Sequence, residues 1–67
     1  MKVTKLDKCD KARIPLAQGD VNGRQFSVCI FTDGTGCILE FNDGAKYLIE
    51  TIDIVNEILN EVKREDK

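Results

Sequence analysis

Residues 22–44 read NGRQFSVCIFTDGTGCILEFNDG, and three turn signals divide this stretch into strands. Asn22-Gly23 and Asp43-Gly44 are pairs typical of two-residue hairpin turns, because a type I′ turn needs positive φ at both central positions. Asp33-Gly34-Thr35-Gly36 predicts a third turn between them. The flanking runs are rich in β-branched and aromatic residues. The sequence therefore predicts a four-stranded antiparallel meander, with strands at 13–21, 24–32, 37–42 and 45–50.

After Glu50 the spacing of apolar residues changes from two to three and four, which is typical of an amphipathic helix. Thr51 is the expected N-cap, and Lys63 and Arg64 suit the negative end of the helix dipole. The expected fold class is thus α+β, with the element order ββββα in one domain over 13–67. Residues 1–12 fit a short helical turn about as well as a loose strand, so their structure is left open.

The composition limits the chemistry that the chain can perform. Its 67 residues are 33% charged with a net charge of −2, which favours a globular domain and gives no strong electrostatic attraction to duplex DNA or an anionic membrane. The sequence has no histidine, so it lacks the commonest general base and metal ligand. We therefore expect a non-enzymatic protein with no catalytic residue, no cofactor and no metal.

Cysteine usage and the N-terminal sequence indicate the compartment. Cys9, Cys29 and Cys37 are an odd number and lack the paired spacing of a zinc site or the dense pattern of a secreted disulfide scaffold. The first residues lack the apolar stretch of a signal peptide, and no window approaches the length of a membrane span. We expect reduced thiols and a cytoplasmic location, with no membrane partner.

Two-residue turns at 22–23 and 43–44 would fix the cross-strand register and divide the side chains between two sheet faces. The helix should cover the first face, which would collect Ala17, Phe26, Val28, Ile30, Cys37, Leu39, Phe41 and Leu48. The second face would collect Ile14, Leu16, Cys29, Phe31, Ile38, Tyr47 and Ile49, with Glu40 among them. There Glu40 would either hydrogen-bond the Tyr47 phenol or meet a basic group on a partner.

The second face needs a cover of its own, because one helix cannot lie on both sides of a sheet. A second copy, the N-terminal segment and a foreign macromolecule are the three possible covers. An apolar patch on the order of 400 Å² or more is at or above what monomers usually leave in water, which favours self-association into a homodimer. The expected interface consists of Ile14, Leu16, Phe31, Ile38, Glu40, Tyr47 and Ile49.

Three acidic residues of the predicted helix repeat at a spacing of four: Asp53, Glu57 and Glu61. Like charges at this spacing slightly oppose helix formation. The row is therefore either tolerated on the solvent side or a contact for a basic partner, such as a nucleic-acid-binding protein.

These features together indicate a small interaction module that modulates or inhibits another protein. The order ββββα also resembles that of the Whirly-like single-strand nucleic-acid binders, and the resemblance implies a dimer that stacks bases against its sheets. The predicted strands carry few basic residues, namely Arg13, Arg24 and Lys46, whereas a groove that follows a nucleic-acid backbone should be positive. Charge thus favours the protein-interaction module, with nucleic acid as the alternative partner.

Overall fold

The computed structural model describes residues 2–66 and shows an antiparallel five-stranded sheet followed by one helix. The strands lie side by side in the order β1-β5-β4-β3-β2. The α+β class is confirmed, but the sheet has five strands instead of four. The elements are β1 (Thr4–Leu6), β2 (Arg13–Val21), β3 (Arg24–Phe31), β4 (Gly36–Phe41), β5 (Lys46–Glu50) and α1 (Thr51–Glu65).

The additional strand lies in the N-terminal segment whose structure was left open. β1 pairs with β5, with Thr4 opposite Leu48, and its three residues are too few to show an alternating pattern. Because β1 and β2 occupy opposite edges of the sheet, residues 7–12 must pass from one edge to the other. They pass over the face that carries Phe31, since the Lys11 ammonium lies 5.0 Å from the centre of that ring. We call residues 7–12 the crossing segment.

The two hairpin turns differ from each other. Asn22 and Gly23 both have positive φ, 51° and 77°, and Val21 pairs with Arg24, so the two-residue turn is confirmed there. In the other hairpin Gly44 has φ 95° and donates its N–H to the Phe41 carbonyl oxygen at 3.0 Å, while Asp43 keeps negative φ. Phe41 in turn donates to the Ala45 carbonyl oxygen at 2.9 Å, which closes a three-residue loop over 42–44.

This third loop residue changes the register of β5. Leu39 pairs with Tyr47, and the expected pairing with Leu48 was wrong. A slip of one residue moves every side chain of a strand to the opposite face. Tyr47 and Ile49 therefore share the face of Leu39, and Leu48 lies on the other.

A β-bulge likewise changes the register of β2. The register shifts between Pro15 and Ala17, so Leu16 is the extra residue and the expected pairing of Leu16 with Cys29 was wrong. Pro15 pairs with Cys29 instead, and Ile14 pairs with Ile30. Cys37 also pairs with Ile30 and not with Thr32 as expected, but this shift of two residues leaves the faces unchanged.

Two faces of unequal burial result. The aromatic face, as we call it, carries Ile14, Ala17, Phe26, Val28, Ile30, Cys37, Leu39, Phe41, Tyr47 and Ile49. The covered face carries Arg13, Cys29, Phe31, Ile38, Glu40 and Leu48 and lies beneath the crossing segment. Among the described residues, only Phe31 and Ile38 are buried hydrophobics, with 3% and 0% of their surface exposed.

α1 follows β5 with no residue between them. The N-cap is Glu50 in an extended conformation, so the prediction of Thr51 as N-cap was wrong. Thr51 is the first helical residue and is tied to the β3–β4 turn by two hydrogen bonds. Its N–H donates to the Thr35 carbonyl oxygen at 2.9 Å, and its hydroxyl donates to the Gly34 carbonyl oxygen at 2.7 Å.

Candidate functional site

The predicted interface does not form one surface, because its residues are divided between the two faces. Phe31 and Ile38 are core residues beneath the crossing segment. Ile14, Tyr47 and Ile49 lie on the aromatic face, for the reasons of loop length and bulge given above. Leu16 is the bulge residue and is 64% exposed. The expectation of a single exposed face with all seven residues was therefore wrong.

Glu40 has a basic partner within its own chain. The Arg13 guanidinium Nη1 lies 2.6 Å from Glu40 Oε1, and both side chains are about three-quarters buried. Arg13 Nη2 also donates to the Cys9 carbonyl oxygen at 3.1 Å, which attaches the crossing segment to the sheet. Tyr47 is on the opposite face, so the expected hydrogen bond between Glu40 and its phenol was wrong. Glu40 thus serves to close the covered face.

The β3–β4 turn is a second attachment point for the crossing segment. Lys11 Nζ lies 3.1 Å from Asp33 Oδ2 and donates to the Thr35 hydroxyl at 2.8 Å. The Thr35 hydroxyl and N–H donate to Asp33 Oδ1 at 2.6 Å and 3.0 Å. These hydrogen bonds from Thr35, and then that from Lys11, lower the pKa of Asp33 to about 2.

The aromatic face contains three rings in edge-to-face contact. The Phe26 and Phe41 centroids are 6.3 Å apart with an interplanar angle of 66°, and the Phe41 and Tyr47 centroids are 6.1 Å apart at 87°. Such pairs are each worth about 0.5–1.5 kcal/mol beyond their area burial. The Arg24 guanidinium lies over Phe41, 3.8 Å from the ring centre, and pairs with Asp43 at 2.8 Å.

Within residues 2–66, no helix or strand lies across this face. α1 touches only β4 and β5 and makes no contact with the β2 and β3 part of the sheet, so the expectation that it covers the face was wrong. The three rings are half-buried, and Ile30 and Ile14 are exposed. The face is therefore apolar and is not covered by α1.

α1 itself presents a second apolar surface. None of its residues is buried, and Ile52 and Ile58 are 59% and 58% exposed. Helical geometry places its exposed apolar residues on one side, which we call the helix stripe: Ile52, Val55, Ile58, Leu59 and Val62. The first turn of the stripe lines an open groove together with Leu48, Lys11 and Thr35.

The acidic row lies on the side of α1 away from the stripe. Asp53 is half-buried, and Glu57 and Glu61 are exposed. Glu61 Oε2 pairs with Arg64 Nη1 at 3.3 Å within the helix. Contact of this row with a basic partner remains a prediction.

Two features of the sequence bear on why the aromatic face is not covered by the helix and why the predicted interface is divided. The aromatic cluster was assigned to a face beneath the helix, although 50–51 contains no Gly, Pro or other turn signal that would let the helix reverse onto the sheet. The absence of a linker at 50–51 could have predicted that the helix leaves this face uncovered. The bulge at Leu16 had a weaker signal in Pro15, which cannot donate to the ladder.

Across residues 2–66 no group of three His, Cys, Asp or Glu side chains could hold a metal ion, and no helix could cross a bilayer. No protein-family model matches the sequence, and no curated protein or solved structure shows significant similarity to it. The geometry of the chain is therefore the basis for assigning a function.

Proposed function

We propose that this chain is a small non-enzymatic interaction module that acts by burying its aromatic face and helix stripe against a protein. The observation that carries the proposal is the open aromatic face with its Phe26, Phe41 and Tyr47 cluster. Contiguous apolar surfaces of several hundred Å² on small proteins mark interaction sites. Aromatic side chains are also enriched at the centres of protein interfaces, where they contribute much of the binding energy.

The rest of the sheet supports this assignment by contrast. The far end of the covered face is polar, where Gln18, Gln25 and Ser27 surround Glu40 in an open pocket. One side of the sheet is thus closed by the crossing segment and by polar residues that water can solvate, whereas the other is apolar and open. The three cysteines are unpaired, which suits a reducing compartment, and we place the module in the cytoplasm.

Modulation of another protein would use both sides of α1. The stripe offers apolar contact, and Asp53 and Glu61 on the opposite side carry negative charge that would attract a basic partner. A module of this kind binds through the aromatic face and stripe and selects partners by charge.

The aromatic cluster also supports a second candidate function, single-stranded nucleic-acid binding. Three rings on one face with Arg24 stacked on Phe41 provide a surface on which bases could stack. The charge around the cluster favours the protein partner, because Arg24 is already paired with Asp43. The five-stranded sheet also departs from the ββββα pattern on which the Whirly-like resemblance rested.

Site-specific photo-crosslinking in living cells tests the proposed function. A benzophenone side chain is placed at Ile30 on the aromatic face, and the control carries it at Gln25, which is exposed on the other face. Protein adducts from position 30 and none from position 25 are the expected result. Adducts to RNA or DNA from position 30 would favour the second candidate, and equal yields from both positions would rule out a specific face.

A further inference from the structure

We infer that the occupant of the aromatic face is α1 of a second copy of this chain, so that two protomers exchange helices reciprocally. The inference rests on the proposed function and specifies its first partner. Each protomer carries both surfaces, the open sheet face and the exposed helix stripe, so one two-fold contact covers both surfaces on both protomers.

The junction between β5 and α1 prevents the helix from covering its own sheet. A helix that packs back onto the strand before it needs a connection of about 2–6 residues, and here there is none. Thr51 adds two hydrogen bonds to the β3–β4 turn, which fix the direction in which the helix leaves the sheet. α1 therefore extends away from its own aromatic face, where it can contact a second molecule.

The radius of gyration and accessible surface of the single chain are larger than those of a compact monomer, as expected for one half of a dimer. Its radius of gyration is 13.6 Å, whereas a compact chain of this length has about 11 Å. Its accessible surface is 5086 Å², about 800 Å² more than a folded monomer of this mass usually exposes. A standard interface buries about 800 Å² on each partner, so the excess equals one protomer's share of a stable dimer.

The helix also fits the width of the face. Its 15 residues span about 22 Å, and a sheet of five strands is about 19 Å across between its outer strands. α1 is thus long enough to cross the whole aromatic face of a second copy. The other face is covered in part by the crossing segment and is polar at its far end, so the aromatic face is the apolar face available.

Light scattering across a dilution series, with single substitutions on each surface, tests the exchange. The native chain is expected to have the mass of two chains. Leu59→Lys on the stripe and Ile30→Lys on the aromatic face should each raise the dimer Kd by about a hundredfold, because each places an unpaired charge in the contact. Asn60→Lys and Gln25→Lys carry the same charge on other surfaces and should leave the Kd unchanged, and circular dichroism verifies that all four fold.

Mixing the two disrupted chains distinguishes helix exchange from other dimers. A mixed pair keeps one unaltered contact, the helix of the Ile30→Lys chain on the face of the Leu59→Lys chain. At equal chain concentrations, native mass spectrometry with one chain labelled by ¹⁵N should therefore find mixed dimer far above the twofold excess over each homodimer that random pairing gives. A dimer that Leu59→Lys disrupts and Ile30→Lys does not would show helix-to-helix pairing and overturn the inference.

A native chain that is folded and monomeric at every concentration would also overturn the second copy as occupant. The photo-crosslinking result then separates the two proposals. Adducts from position 30 to a different protein would leave the interaction module standing, whereas the absence of any adduct would remove both.

Discussion

Phe31 and Leu16 are both large apolar residues of the sheet, but their environments predict opposite effects of truncation. Phe31 is 3% exposed beneath the crossing segment, so Phe31→Ala should lower the free energy of unfolding by about 3–5 kcal/mol. Leu16 is an exposed bulge residue, and Leu16→Ala should change it by less than about 0.5 kcal/mol. Urea denaturation measures both. Similar losses for the two variants would show that the crossing segment does not cover Phe31.

The lowered pKa of Asp33 predicts that the free energy of unfolding depends on pH in the acid range. Its pKa in the folded chain is about 2, below the ordinary value of 3.8, so its anion is bound more favourably in the folded than in the unfolded state. The stabilisation is complete above the ordinary pKa and is lost as the pH falls through about 2. The pKa of Asp43 is also lowered, by the Ala45 N–H first and then by Arg24, and acts in the same direction.

An NMR titration of the Thr35 amide is the measurement, with an expected midpoint near pH 2. Asp33→Asn keeps an oxygen that can accept from Thr35 but removes the charge that pairs with Lys11. The variant should lose the titration of Thr35 while keeping its turn. A midpoint near 4 in the native chain would mean that these hydrogen bonds are not formed in solution.

The β3–β4 turn holds two other parts of the chain. Lys11 attaches the crossing segment to it, and Thr51 attaches the start of α1. Thr51→Val removes the hydroxyl that donates to the Gly34 carbonyl oxygen and should lower the free energy of unfolding by about 0.5–1.5 kcal/mol. Thr51→Ser keeps the donor and is the matched control. Amide exchange should accelerate first in the initial turn of α1, and equal exchange in both variants would contradict this anchoring role.

The elements also show how far the sequence predicts this fold. The α+β class, the four longer strands and the helix follow from turn signals and apolar spacing, and the Asn22-Gly23 turn forms as predicted. Asp43-Gly44 has the same type of signal but belongs to a three-residue loop, a difference that composition does not reveal. The register depends on loop length. This one extra loop residue therefore places Tyr47 and Leu48 each on the face opposite to the predicted one, which altered the predicted interface.

β1 could not be predicted for a different reason. Its three residues pair with β5, which lies some forty residues further along the chain, so the strand depends on tertiary contacts and has little pattern of its own. The crossing segment that follows it buries Phe31 and Ile38, which the sequence had assigned to an interface. One of the three covers left open by the sequence, the N-terminal segment, thus lies over these two residues.

The molecule is elongated, with extents of 43 × 29 × 19 Å. Only two hydrophobic side chains are buried among the described residues. This core is small for a domain whose favourable contacts must offset a large conformational entropy cost. Exchange of α1 between two copies would bury the stripe and the aromatic face together. Folding and dimer formation should then be coupled, so the midpoint of thermal unfolding should rise with protein concentration.

The absence of a linker between β5 and α1 predicts how a longer connection would change the oligomeric state. If the missing linker is the reason that α1 extends away from its own sheet, insertion of Gly-Ser-Gly-Ser-Gly between Glu50 and Thr51 should let the helix fold back. Light scattering should then find the mass of one chain. The same five residues between Asn22 and Gly23 add equal mass in an exposed turn and should leave the dimer intact.

Tyr47 separates a helix that has folded back from a dimer that has merely dissociated. It is the single tyrosine of a chain without tryptophan and lies on the aromatic face, so its fluorescence reports the cover of that face. In the chain with the linker, acrylamide should quench Tyr47 as weakly as in the native dimer, because its own helix now covers the ring. In the monomeric Leu59→Lys chain quenching should be stronger, because the face is open. A chain with the linker that stays dimeric would show that the length of the β5–α1 connection does not direct the helix to a second copy.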